Sequence, residues 1–292
     1  MKKQSNKVEK IMKTLLVGLH AETFLHPGSG QNDGAIDLPI ARERSTDYPV
    51  IYGSMLKGAL RARKFHASAG DNKSSDSVCD EYFGKQENAG GILVGDARLL
   101  LLPVRSLSAS FKWVICPQII QRFASDLARS GQNIEIKIPQ PKRHHYLSHK
   151  SEDEIFLEEW LFEKQEQNLQ IDALLDAIQT IMPEMLRESL NNRLVIVNDD
   201  DFATLVRQGT PVHARNQLNK ETKSSENLWY EETLSPDTLF YSLFLPRFKP
   251  ELLAEFAQTE IAQQPYLQIG GNETVGQGWV QLTPFQQNGA TA

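Results

Sequence analysis

The residue types best able to do chemistry gather near the start of the chain. His26 and Asp37 sit at either end of the glycine-punctuated loop that opens "HPGSGQNDGAIDLPIARE", residues 26–43, with Arg42, Glu43 and Arg44 close behind. A histidine can move a proton near neutral pH, and an aspartate can accept one, orient a hydroxyl or hold a metal. Asp37 lies between Ile36 and Leu38-Pro39. Two readings of it stand: a solvated loop residue, or a carboxylate aimed at a bound phosphodiester. For His26 the plainer reading is a histidine before proline at a strand end. Two more acids occur in "LWYEE", where strand alternation sets Trp229 and Glu231 on one face and Tyr230 and Glu232 on the other.

Other chemistries find less support. "GGNETVGQG", residues 270–278, has neither the Lys-Ser/Thr of a Walker loop nor the glycine order of a dinucleotide site, and "GSGQNDG" fails the same tests. Such loops still let backbone N–H groups approach an anion, against the alternative of a tight turn between strands. His144, His145 and His149 lie close together, but no second cluster completes a zinc set. The acids Asp199, Asp200 and Asp201 could hold a divalent cation, but a helix start explains them better, with Asp199 or Asp200 as its cap. No G-x-S-x-G elbow exists. Cys79 and Cys116 lack metal-ligand spacing, which fits a reduced, cytoplasmic setting.

The elements that must position these residues alternate between strand and helix. "TLLVGLHAET" reads as a half-buried strand and "SMLKGALRARKFHA" as a helix capped by Ser54, with Leu56 and Leu60 inward and a basic stripe of Lys57, Arg61 and Lys64 outward. Residues 68–91 read as a polar loop with a short helical turn. "ILVGDARLLLLPV", with Gly95 as a bulge, "SFKWVICP", "NIEIKIP" and "RLVIVND" read as strands; "PQIIQRFASDLARSG", "IDALLDAIQTIM" and "PEMLRESLNN" as helices. "VHARNQLN" and "NLWYEETL" flank a polar tip as a long β-hairpin. "LFYSLFLP" is a buried strand, "KPELLAEFAQTEIAQ" a helix, and "YLQIGG…GWVQLT" strand, glycine loop, strand. No repeat of fixed period occurs, and the whole reads as one α+β domain with large insertions. The apolar run "TLLVGL" is too short for a signal peptide or a membrane span.

A formal net charge of −6 speaks against a chain that coats itself in nucleic acid unaided. The charge is nevertheless local. Six Lys/Arg fall between Arg42 and Lys64, and residues 136–151 carry four Lys/Arg and three histidines without an acid.

Taken together, "HPGSGQNDGAIDLPIARE", "YPVIYGSMLKGALR", "NLWYEETL" and "LQIGGNETVGQGWV" make the chain resemble one family over about residues 14–282. It looks like the repeated backbone subunit of type III-B CRISPR effectors, the Cmr complex, within the RAMP superfamily. The resemblance implies an RRM-like, ferredoxin-like βαββαβ palm core with helical fingers insertions and a β-hairpin thumb. The palm would take in about 12–67, 92–140 and 192–285, and the thumb about 204–228. It implies copies stacked head to tail along a guide crRNA, together with other Cmr subunits, and cleavage of complementary target RNA with Mg2+ or Mn2+. Asp37 would be the catalytic carboxylate and metal ligand, with His26 near it and Glu231 and Glu232 as auxiliary acids. The RNA contacts would come from Ser54, Lys57, Arg61, Arg42, Arg44 and Arg215, and from Gly270, Gly271, Asn272, Thr274, Gly276 and Gly278 of the glycine loop. The alternatives are a non-catalytic scaffold and the equivalent type III-A subunit. Because RNA carries its own nucleophile in the 2′-hydroxyl, a site that only aligns it can gain as much as about 7–11 kcal/mol from positioning, so one carboxylate can suffice.

Overall fold

The computed structural model describes residues 14–31, 34–67, 74–149, 152–166 and 170–285. In chain order the first elements are β1 (Leu15–Ala21), β2 (Val50–Ile51), α1 (Gly53–Ala67), α2 (Ser74–Phe83), β3 (Gly84–Lys85), β4 (Asn88–Ala89), β5 (Ile92–Val94) and β6 (Ala97–Arg105). Then come β7 (Phe111–Ile115), α3 (Pro117–Arg129), β8 (His145–Leu147), β9 (Glu154–Leu157), β10 (Trp160–Lys164), α4 (Asp172–Gln179), α5 (Arg187–Arg193) and β11 (Leu194–Val197). The last are α6 (Asp199–Gln208), β12 (Val212–Leu218), β13 (Ser225–Glu232), β14 (Leu239–Pro246), α7 (Pro250–Phe256), β15 (Tyr266–Gln268) and β16 (Trp279–Pro284).

Four strands define the centre. β16, β1, β14 and β6 lie side by side in that order and pair antiparallel throughout. Along the chain they run β1–α1–β6–β14–α7–β16, which is a ferredoxin-like βαββαβ unit. Residues 106–238 are inserted between its second and third strands. That insertion extends the same sheet through β7, β11, β8, β10 and β9 and also carries the β12–β13 hairpin. All seven residues of β1 are buried, as a strand covered on both faces must be. On one face the insertion returns over β1 so closely that a Cβ on Gly18 would lie 2.0 Å from the Ile181 carbonyl oxygen. No nucleic-acid strand can lie on the sheet there.

Several local expectations need correction. α1 begins at Gly53, whose N–H donates to Asp96 Oδ1 at 2.7 Å, so Ser54 lies within the first turn and is not the cap. Residues 74–83 form a ten-residue helix where a single turn was expected. Ile134, Ile136 and Ile138 alternate toward the core as a strand would, but 132–142 finds no ladder partner and stays irregular. Asn198, not Asp199 or Asp200, caps α6, accepting from the Asp200 N–H at 3.0 Å. The hairpin starts at Val212, so the expected 204–228 span takes in the end of α6 and stops inside β13. After α7 the chain continues as a π-helical turn, Ala257–Ala262. Among the described residues no helix is long and apolar enough to cross a membrane.

Candidate active site

The loop after β1 folds back on itself. The Ala41 N–H donates to the Pro27 carbonyl at 2.7 Å and the Ser29 N–H to the Pro39 carbonyl at 3.1 Å, so its two arms pair below the tip. One arm then runs parallel to β13: the Leu38 N–H donates to the Tyr230 carbonyl at 3.1 Å, and the Glu232 N–H to the Leu38 carbonyl at 3.0 Å. The Asp37 carboxylate continues that short ladder by accepting from the Tyr230 N–H through Oδ2, at 2.7 Å. Its other oxygen has no hydrogen-bond partner among the described residues, and the residue is exposed. An open groove of about 450 Å³ runs past it, walled by Asp37, Leu38, Gln217, Asn227 and Trp229.

The remaining expected acids are placed otherwise. Glu232 is buried, its carboxylate accepting from Arg42 at 2.5 Å and from the Ile40 N–H at 3.0 Å. Arg42 also donates to the Asp47 carbonyl at 2.9 Å and to Thr210, which leaves it no freedom to reach RNA. Glu231 is buried on the opposite face, held by the Asn272 side-chain amide and by Arg215 at 3.4 Å. His26 is buried, with Nδ1 2.7 Å from the Glu232 carbonyl. A carbonyl only accepts, so Nδ1 carries the proton and donates. Nε2 points at Gly28, where a Cβ would come within 2.8 Å of it. His26 therefore anchors the root of the loop while Asp37 rides near its tip.

The glycine loop is built around that anchor. Gly270 has φ +84°, and a Cβ there would sit 2.3 Å from the His26 carbonyl oxygen. The N–H groups of Gly271, Gly276 and Gly278 donate to the carbonyls of His26, Glu273 and Phe24, so these three amides are spent inside the protein. The tight-turn reading thus accounts for them, and Thr274 is left exposed at the turn.

The two basic stretches are neutralised in part in three dimensions. Arg61 donates to the Gly84 carbonyl and to Asp80, and Lys64 pairs with buried Glu260 at 2.6 Å. Arg143 and His144 face Asp201, His145 faces Glu163, and His149 faces Asp172. Arg44 is exposed and Lys57 half-exposed, and neither has a carboxylate partner among the described residues. What sequence reading missed is the groove wall. Gln217 and Asn227 face each other across the hairpin register, and only that register, with Arg215 opposite Trp229, brings them to Asp37.

Comparison with known proteins decides the family. The family model described as the RAMP superfamily matches residues 19–281. The chain belongs to the RAMP superfamily. Within the RAMP proteins it is 38% identical over 293 residues to the CRISPR system Cmr endoribonuclease Cmr4 of Pyrococcus furiosus, covering 96% of this chain and 99% of that one. The crystal structure of oligomeric Cmr4 from Pyrococcus furiosus superposes with a TM-score of 0.75 at 33% identity, over 96% of this chain and 100% of that one. A chain from the type III-B Cmr-beta complex bound to cognate target RNA shares the fold at TM-score 0.72 and 21% identity, covering 93% of this chain and 97% of that one. Among the described residues no three His, Cys, Asp or Glu side chains come together as a metal cage.

Proposed function

We propose that this RAMP protein is the repeated subunit of a type III-B CRISPR effector, holding guide RNA and cutting the complementary target RNA with Asp37. The observation that carries this reading is the state of that one side chain. Of the three acids expected at the site, Asp37, Glu231 and Glu232, only Asp37 is exposed with an oxygen uncommitted, and it sits on a groove large enough for a nucleotide. The 38% identical relative named an endoribonuclease, matched end to end, supports the same conclusion. Its partners would be guide crRNA, target RNA, other Cmr subunits and further copies of itself, in the cytoplasm, where the buried thiols of Cys79 and Cys116 stay reduced.

In this reaction the target's 2′-hydroxyl oxygen bonds to the adjacent phosphorus and gives up its proton while the 5′-oxygen leaves and gains one. The products are a 2′,3′-cyclic phosphate and a 5′-hydroxyl end. Asp37 contributes through its free oxygen, by taking the proton or by ligating a divalent ion. The Tyr230 N–H holds the other oxygen and so fixes the carboxylate's direction. One free carboxylate oxygen fits Mg2+ or Mn2+, since such ions are commonly held by one or two carboxylates with substrate phosphates and water. A bound ion would neutralise charge on the scissile phosphate. Glu231, Glu232 and His26 act as supports that hold β13 and the loop root in register. Lys57, Arg44 and Ser54 are the exposed or half-exposed groups left to meet guide phosphates.

The test is cleavage of an end-labelled, guide-matched RNA by reconstituted complex carrying wild-type or Asp37→Ala subunit, with target binding measured in parallel. Loss of the regular product ladder with binding intact supports the reading. A persisting ladder makes the chain a scaffold. A chelator that stops the wild-type reaction supports the ion.

A further inference from the structure

The groove beside Asp37 has a second wall that the reaction as described does not use. β12 and β13 pair so that Arg215 lies opposite Trp229 and Gln217 opposite Asn227, which puts these four side chains on one face of the ribbon. Trp229, Gln217 and Asn227 line the groove together with Asp37. Trp229 directly precedes Tyr230, whose N–H holds the Asp37 carboxylate, so indole and carboxylate are fixed one residue apart. Trp113 and Trp160 both donate their indole N–H to protein acceptors. The Trp229 N–H, like that of Trp279, has no such acceptor among the described residues, and its side chain is only half-buried. An indole face, two side-chain amides and a carboxylate around about 450 Å³ match the parts of a nucleotide: a flat base, its polar edge and its phosphodiester.

We infer that Trp229 is the stacking platform for the base of the target nucleotide whose 2′-hydroxyl attacks, with Gln217 and Asn227 holding that base by its edge. This rests on the proposed cleavage by Asp37. Stacking accepts any base, because every base presents a π-face, so the platform positions the ribose without selecting sequence. Trp229 is on this account a positioning residue.

The experiment uses complex reconstituted around a guide, with 2-aminopurine placed at that target nucleotide. Fluorescence is read in an Asp37→Asn background so that the RNA stays whole, and single-turnover cleavage is read with Asp37 present. Stacking on the indole quenches the probe. Trp229→Ala should relieve the quenching and slow cleavage roughly 5- to 150-fold, and Trp229→Phe should restore much of both. Gln217→Ala and Asn227→Ala should give smaller losses of rate. Unchanged fluorescence and rate in Trp229→Ala overturn the inference. A fall in rate without a change in fluorescence also overturns it, by making Trp229 structural. If Asp37→Asn still cuts, the proposed cleavage fails, and the fluorescence arm in Asp37-containing complex with a 2′-deoxy nucleotide at the probe still decides the stacking.

Discussion

Asp37 and Glu232 are carboxylates on two backbone segments that pair with each other, yet the protein treats them in opposite ways. Glu232 is buried and takes its hydrogen bonds from Arg42 and the Ile40 N–H. Asp37, two residues from the Pro39–Ile40 arm, is exposed, holds one backbone N–H and keeps an oxygen free. A buried carboxylate saturated with donors is a fastener, while an exposed one with a fixed direction and spare valence is a tool. The difference is one of partners and solvent, not of residue type.

The sharpest way to break this comparison is to truncate both. Asp37→Ala should cut target cleavage by about 10²- to 10⁴-fold, the usual contribution of a positioned acid or base. Its unfolding free energy in urea should move by no more than about 0.5 kcal/mol, as for a surface change. Glu232→Ala should instead lose about 1–3 kcal/mol of stability, because the buried Ile40 N–H is left without its acceptor and Arg42 loses its carboxylate. Equal stabilities of the two variants would sink the distinction.

The next test moves to the support beneath the loop. Gly270→Ala places a methyl against the His26 carbonyl oxygen and asks an L-residue to hold φ +84°, so it should destabilise by about 1–3 kcal/mol and slow cleavage by tilting the loop root. Gly276 has φ +79° but open space around its Cβ, so Gly276→Ala should show the smaller melting shift and leave cleavage nearly unchanged.

How much of this was readable beforehand follows from what each feature depends on. β1, α1 and the hairpin strands announce themselves through local periodicity, and Asp37 through its motif. The split of the βαββαβ unit by residues 106–238 is a matter of pairing between β6 and β14, which periodicity does not encode. The basic stripe on α1 misled for the same reason. Lys57, Arg61 and Lys64 share a helix face by spacing, but Asp80 and Glu260 arrive from distant segments to neutralise two of them. Ile134, Ile136 and Ile138 carry the right alternation for a strand and lack only a neighbour to pair with.

That stripe gives a third, smaller contrast. Lys57→Ala should leave the melting temperature in place and reduce the salt dependence of guide binding by about one phosphate contact, a slope change of about 0.7. Lys64→Ala should do the reverse, lowering the melting temperature because Glu260 is buried.

The smallest effect separates the deep core from the exposed site by pH. Burial pushes the Cys116 thiol from its ordinary 9.0 up to about 12, and Tyr48, whose hydroxyl lies 3.6 Å from the sulfur, is likewise raised by burial. In the unfolded chain the thiol ionises first, so between about pH 9 and 12 the folded state holds the extra proton. Stability must therefore fall as pH rises through that window, and it is unaffected by this group below it. Melting temperatures measured from pH 8 to 11 should decline, and Cys116→Ala should decline less steeply by the share of one proton. The slope is the quantity to read, since the small cavity left by the variant lowers stability equally at every pH. A slope that Cys116→Ala leaves unchanged would place the titrating groups elsewhere in the core, with the tyrosines beside it as the next residues to replace.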